Sequence, residues 1–210
     1  MIPPERDAEF VARMEDVLET DAQAYDPQHP VLCMDERPVQ LLKETRVPTP
    51  ATREYGQRVD YEYERDGTAS ILMVAEPLSG FRQATARAQR TKTDWAIEVA
   101  HLLDTRYADC EAVTLVRDNL DTHTKGAFYE AFAPEQARAY VKRISFCYTP
   151  KHGRWLNVAE CALSCLTTQC LSDRRIGGLA ELQKRSGRGR TRPTRNNEAW
   201  TGRSASDTPA

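Results

Sequence analysis

Three acidic residues stand where a divalent cation could be gathered: Asp35, Asp118 and Glu160. Asp35 follows the apolar run Val31-Leu32-Cys33-Met34, and Asp118 follows the run 112–117. Each acid is therefore expected at the end of a buried strand. Glu160 falls one turn into a helix expected over Trp155 to Leu171, whose stripe of Leu156, Ala159, Leu163, Leu166 and Cys170 faces a core. An acid on the inward side of a helix is unusual unless it is paired or binds a metal. Strand ends suit function, because the strand fixes the residue and the loop leaves room for a ligand. Three converging carboxylates would raise one another's pKa unless a cation intervened. Oxygen donors without Cys or His favour Mg²⁺ or Mn²⁺. A pair of such ions activates a water or hydroxyl and stabilises the leaving oxygen in phosphodiester displacement. The chain has 31 acidic residues and strand-terminal aspartates are common, so spacing alone does not single these three out.

The elements that must position them can be read along the chain. Phe10, Met14, Val17 and Leu18 predict an amphipathic helix over 3–20, with Pro3 and Pro4 at its start. The segment 26–30 breaks the chain, and a loop with Pro38, Pro48 and Pro50 follows the first strand. Val59, Tyr61 and Tyr63 alternate with Asp60, Glu62 and Glu64, the pattern of a half-buried strand. Arg65-Asp66-Gly67 reads as a hairpin turn, with Gly67 supplying positive φ, and Ala69 to Ala75 as the buried return strand. Phe81 to Ala88 is expected as a third antiparallel strand. A helix carrying Trp95, Val99, Leu102 and Leu103 follows, with Thr93 as N-cap. A short helix over 125–132 and a strand from Tyr140 to Tyr148 complete the series. Antiparallel strands first and strand–helix alternation afterwards predict an α/β fold, a mixed sheet flanked by helices.

Hydrophobic residues make up 40% of the 210 and charged residues 29%, which suits one packed domain. No stretch approaches the roughly 20 apolar residues of a membrane helix. The N-terminus lacks a basic start and apolar run, so no secretory signal is expected. The six cysteines (Cys33, Cys110, Cys147, Cys161, Cys165, Cys170) show no CxxC spacing and are expected to be reduced, in the cytoplasm. Residues 172–210 carry a net charge of +5 and the rest −7. An acidic body is not by itself a nucleic-acid surface. The expected organisation is an N-terminal helix and linker over 1–30, a folded domain over 31–182 and a basic low-complexity, disordered tail over 183–210.

The words around the acids are more specific than their spacing. Met34-Asp35-Glu36, the run Asp118-Asn119-Leu120-Asp121-Thr122-His123, and the run from Tyr148-Thr149-Pro150-Lys151-His152-Gly153-Arg154-Trp155 through Leu156-Asn157-Val158-Ala159-Glu160 resemble the DDE transposases of bacterial insertion sequences related to mariner. The resemblance covers about residues 5–182 and implies a ribonuclease H-like fold. It implies Asp35, Asp118 and Glu160 as a catalytic triad holding two Mg²⁺ or Mn²⁺ ions. Asn119 and His123 would orient Asp118 or approach DNA, Asn157 would brace the start of the last helix, and Lys151, His152 and Arg154 would meet phosphate. The implied partners are the DNA terminal inverted repeats of the element and a second copy, in a homodimer or synaptic oligomer, with no membrane. Three residues depart from the pattern: Asp121 replaces the usual Asn, Arg154 replaces a small residue, and Arg117 precedes the second acid. The helix-turn-helix reader that usually precedes the catalytic domain is expected to be missing, as in a truncated, frameshifted copy. The alternatives are a non-enzymatic remnant that associates with full-length relatives, and a ribonuclease H-like nuclease acting on RNA–DNA hybrids.

Overall fold

The computed structural model describes residues 7–118, 123–172 and 174–187. Its sheet has five strands: β1 Val31–Glu44, β2 Tyr63–Glu76, β3 Phe81–Arg87, β4 Val113–Arg117 and β5 Ile144–Tyr148. Their spatial order is β3-β2-β1-β4-β5. β1–β2 and β2–β3 pair antiparallel, whereas β1–β4 and β4–β5 pair parallel. This is the mixed sheet that the order of apolar runs implied.

Two strands are longer than expected. β1 does not stop at Asp35; it runs on to Glu44 because β2 continues to pair with it, from Cys33↔Ala75 to Glu44↔Tyr63. Pro38 sits inside this strand opposite Ser70. β4 pairs with β1 only over Val31–Cys33, so Pro38 lies where β1 has one neighbour and a missing N–H is tolerated. β2 is likewise continuous through Gly67, which makes no hairpin. The register steps from Gln40↔Thr68 to Leu42↔Arg65, leaving Asp66 and Gly67 opposite Leu41. The positive φ of Gly67, 84°, serves this β-bulge. Val59 and Tyr61 precede β2 and are exposed, as is Tyr63 at its start, so their alternation marks no buried face.

The helices cover both faces. α1 (Ala8–Asp21) is capped by Asp7, whose Oδ1 accepts from Phe10 N at 2.7 Å. The expected Pro3-Pro4 start lies outside the described residues. α2 (Lys92–Asp104) is capped by Thr91, two residues earlier than the expected Thr93, in a reciprocal box with Asp94. α3 spans Lys125–Ala131. α4, Pro134–Lys142, takes Tyr140 and Val141, which were expected to open a strand; Pro134 suits its first turn. The last helix is broken where one run was expected. A 3₁₀ turn, Arg154–Leu156, leads to α5, Val158–Leu166, and a π turn, Thr167–Leu171, ends it. α6, Leu179–Gly187, takes in residues 183–187, with Leu182 and Ser186 buried. Residues 188–210 of the basic tail lie outside the described residues.

One core joins Val17, Cys33, Ile71, Met73, Val116, Leu163 and Leu182, so α1, α5 and α6 cover one sheet face. The other joins Leu32, Met34, Trp95, Leu103, Leu115, Phe128 and Tyr140, so α2, α3 and α4 cover the opposite face. Side chains alternate along β1. Cys33 therefore puts Asp35 on the α5 side, and Met34 puts Glu36 on the α2 side.

Two buried polar groups fix this frame. Asn157 caps α5 by accepting from Ala159 N at 3.1 Å and donates to Met34 O at 2.7 Å. Replacing Asn157 by Ala removes the cap and orphans a buried carbonyl, so Asn157→Ala is expected to lower stability by about 2–3 kcal/mol in denaturant unfolding. Glu98, 3% exposed, accepts from Gln83, Thr85 and Arg87. Burial pushes its carboxyl up, but the Arg87 and Thr85 hydrogen bonds outweigh that and hold it below the usual range. Its stabilising charge is present above the ordinary glutamate range and is lost as pH falls through the lowered folded value. Glu98→Gln should cost about 2 kcal/mol at neutral pH by the same measurement, with the gap to the wild type closing in acid.

Candidate active site

β1 and β4 set the first two acids side by side. The parallel register is Val31↔Thr114, Leu32↔Leu115 and Cys33↔Val116. Carried two residues further, the same offset brings Asp35 level with Asp118, which lies immediately beyond β4. α5 leans across this point, its first turn carrying Glu160 and its cap Asn157 tied to Met34. Asp35, Asp118 and Glu160 all line one open cleft of about 800 Å³. Asp35 is buried, and the other two are half-buried. Burial, and after it the charge of Asp35, pushes the Asp118 carboxyl above the usual carboxylate range.

The cleft is not purely acidic. Arg154 Nη2 donates to both Asp35 oxygens, at 3.2 Å each. Asp35 Oδ1 also accepts from Glu36 N at 2.8 Å. Arg37, Arg90 and Trp155 line the same space, and Trp155 is 60% exposed. Among the described residues, no group of three or more His, Cys, Asp and Glu side chains closes into a metal-sized cluster. The donor chemistry nevertheless suits a hard divalent ion: carboxylate oxygens from three elements face one solvent-open cavity, and one of them is held reluctant to ionise.

The loop before α5 is tightly built. Gly153 donates to Pro150 O at 2.8 Å, and a Cβ there would stand 2.5 Å from Pro150 Cγ. His152 takes a left-handed φ of 67°, rare for a side chain of its size. Lys151 and His152 are exposed and do not line the cleft, whereas Arg154 reaches into it. Asn119 lies outside the described residues, as does Asp121.

His123 is buried on the opposite side of β1. Its Nε2–H donates to Glu36 Oε1 at 2.7 Å, and its ring stacks on Trp95 at 5.0 Å. Arg90 Nε lies 3.1 Å from Glu36 Oε2. Glu36 and Arg90 are site residues that sequence reasoning missed. For Glu36 a signal existed: strand alternation after Asp35 turns it to the other face, where a buried carboxylate needs a cation. Nothing near Arg90 in the sequence pointed to the cleft.

A family model described as DDE superfamily endonuclease matches residues 30–183. No curated protein sequence matches the chain. Several solved structures do. A Mos1 strand transfer complex aligns with a TM-score of 0.57 at 11% identity, over 88% of this chain and 54% of that one. A Mos1 mariner paired end complex with Mn gives 0.53 at 12%, over 88% and 55%. A mariner Mos1 paired end complex with Mg gives 0.51 at 9%, over 90% and 60%. The chain thus spans a little over half the length of these neighbours, and at such identities they show a shared fold, the ribonuclease H-like mixed sheet. Asp118 and Glu160 both fall within the stretch that the family model matches, as does the whole five-stranded sheet, and on that match the chain belongs to the DDE superfamily endonuclease family.

Proposed function

We propose that this chain is the catalytic domain of a DDE transposase, cutting and joining DNA strands with Asp35, Asp118 and Glu160 as the triad that holds two Mg²⁺ or Mn²⁺ ions. The observation that carries this reading is the convergence of those three carboxylates, from β1, the end of β4 and the first turn of α5, on one open cleft. Bound there, such ions supply a lowered pKa for the attacking hydroxyl and charge neutralisation at the leaving oxygen. The protein's own contribution is placement. The β1–β4 register sets Asp35 beside Asp118, and the Asn157 hydrogen bond to Met34 holds the first turn of α5, with Glu160, over them. Arg37, Arg90 and Arg154 give the cleft a basic rim suited to backbone phosphates. His152 and Lys151, exposed on the approach loop, extend that basic surface, and Asn119 and His123 follow Asp118 in sequence.

The neighbours are strand transfer and paired end complexes, solved in two cases with Mn and Mg. From that likeness we infer that this chain engages DNA terminal inverted repeats and works as a pair of copies in a synaptic assembly. No helix among the described residues is long and apolar enough to cross a membrane. Six free thiols suit the reducing cytoplasm as its compartment.

A second reading is favoured by two observations: Asp35 is already paired with Arg154, and no metal-sized cluster forms among the described residues. On that reading the domain is a non-enzymatic remnant that keeps the fold and at most associates with full-length relatives. Mg²⁺-dependent nicking of inverted-repeat DNA separates the two. Wild type should nick, and Asp118→Asn should lose at least about a hundredfold, the upper end of what loss of a supporting residue around a metal costs. Equal rates for both would end the triad assignment.

Asp118 also makes a prediction that needs no activity. Its folded pKa is raised, so its contribution is favourable in acid and is lost as pH rises through that value. In metal-free buffer at neutral pH, Asp118→Asn should melt above wild type, because it deletes a desolvated charge. Adding Mn²⁺ should raise the Tm of wild type and leave the variant nearly unmoved.

A further inference from the structure

We propose that Arg154 is a tethered counter-ion: it occupies Asp35 in the metal-free protein and leaves for a DNA phosphate when a divalent ion enters, so that metal and DNA bind cooperatively. The inference rests on the metal reading given above and concerns what this chain's own arginine does to it.

The geometry is that of a cation already in residence. A single guanidinium nitrogen lies 3.2 Å from both Asp35 oxygens, while Glu36 N also donates to Oδ1. Asp118 and Glu160 line the same cleft and add to the field that holds Arg154 there. A divalent ion seeking Asp35 as ligand therefore meets a positive charge on the oxygens it needs.

The two partners differ in mobility. The Asp35 side chain is 4% exposed, whereas that of Arg154 is 53% exposed. The backbone behind Arg154 is pinned. Gly153 is locked against Pro150, Leu156 is buried in the α5 core, and Asn157 is bonded to β1. Release therefore needs only rotation of the arginine side chain, and a half-exposed ion pair gives little resistance to it. A guanidinium suits a phosphate as well as a carboxylate, and Arg37 and Arg90 line the same open cleft. Displaced by a metal, Arg154 is free to grip the backbone. Drawn off by backbone phosphate, it leaves Asp35 ready for metal. Linkage makes the two effects equal in size.

The test uses the full chain and Mn²⁺ alone, followed by titration calorimetry. Arg154→Ala should bind Mn²⁺ about tenfold more tightly than wild type, within the usual range of a coupling between sites. Arg154→Gln, which keeps most of the stem, guards against a folding artefact and should show the same tightening. Affinity for a labelled DNA duplex, read by fluorescence anisotropy, should rise about tenfold on adding Mn²⁺ in wild type and much less in either variant. Unchanged or weaker Mn²⁺ binding in both variants overturns the proposal, as does equal Mn²⁺ enhancement of DNA binding in all three proteins. Asp35→Asn separates this failure from that of the metal reading. If Asp35→Asn binds Mn²⁺ as wild type does, the triad itself is wrong; if it loses Mn²⁺ while Arg154→Ala gains nothing, only the counter-ion role is.

Discussion

The cleft depends on a change of partners along β1. At Cys33 this strand is paired on both sides, with Val116 of β4 and Ala75 of β2. Two residues later only β2 remains, because β4 ends at Arg117. The space left by that departure lies beyond the carboxyl end of a parallel pair, where α/β sheets characteristically bind ligands. Asp35 is thus held rigidly by the antiparallel ladder while its parallel flank is open. A strand that truly stopped at Asp35 would have left the acid on a loop, without the ladder that fixes it.

The second constraint is electrostatic. β1 presents two consecutive buried carboxylates to opposite faces of the sheet, and each must find a cation or stay desolvated at considerable cost. Asp35 takes Arg154 on the α5 face. Glu36 takes His123 and Arg90 on the α2 face, with the imidazole clamped against Trp95. The two solutions differ in kind. The Glu36–His123 pair is buried on both sides, 5% and 4% exposed, and serves as an internal brace between β1 and the chain after β4. The Asp35–Arg154 pair is buried on one side only. Asymmetric burial makes the first pair structural and the second exchangeable.

How much of this was legible follows from range. The order of elements could be read because such patterns are local: the largely apolar run Ala69–Ala75 and the 3.6 period of α2 each declare themselves within one window. Asp118 and Glu160 came out in place for the same reason. The full length of β1 did not, because Arg37, Pro38 and Gln40 are the residues of a one-sided strand and read as loop. Gly67 declared positive φ but not its use, since a hairpin turn and a bulge make the same local demand. The pairs that set the site's charge were out of reach. Arg154 is 119 residues from Asp35, and His123 is 87 from Glu36, separations at which no local pattern survives.

A shared fold at 9–12% identity leaves the chemistry to individual side chains. Two arginines flank the acids of this chain, and neither can serve as a metal ligand. Arg154 sits on Asp35 from the solvent side. Arg117, 1% exposed, precedes Asp118 and is boxed by Tyr148, Phe146 and Trp95, with its guanidinium 4.7, 5.0 and 5.7 Å from their ring centres. The aromatic faces stabilise a charge that water cannot reach. That charge favours ionised Asp118, yet burial and Asp35 outweigh it and the carboxyl stays high. The fixed arginine therefore moderates a repulsion between the paired acids that it does not cancel. What remains is a repulsion among the acids of the cleft, and the half-exposed Arg154 guanidinium on Asp35 is the positive charge that meets it.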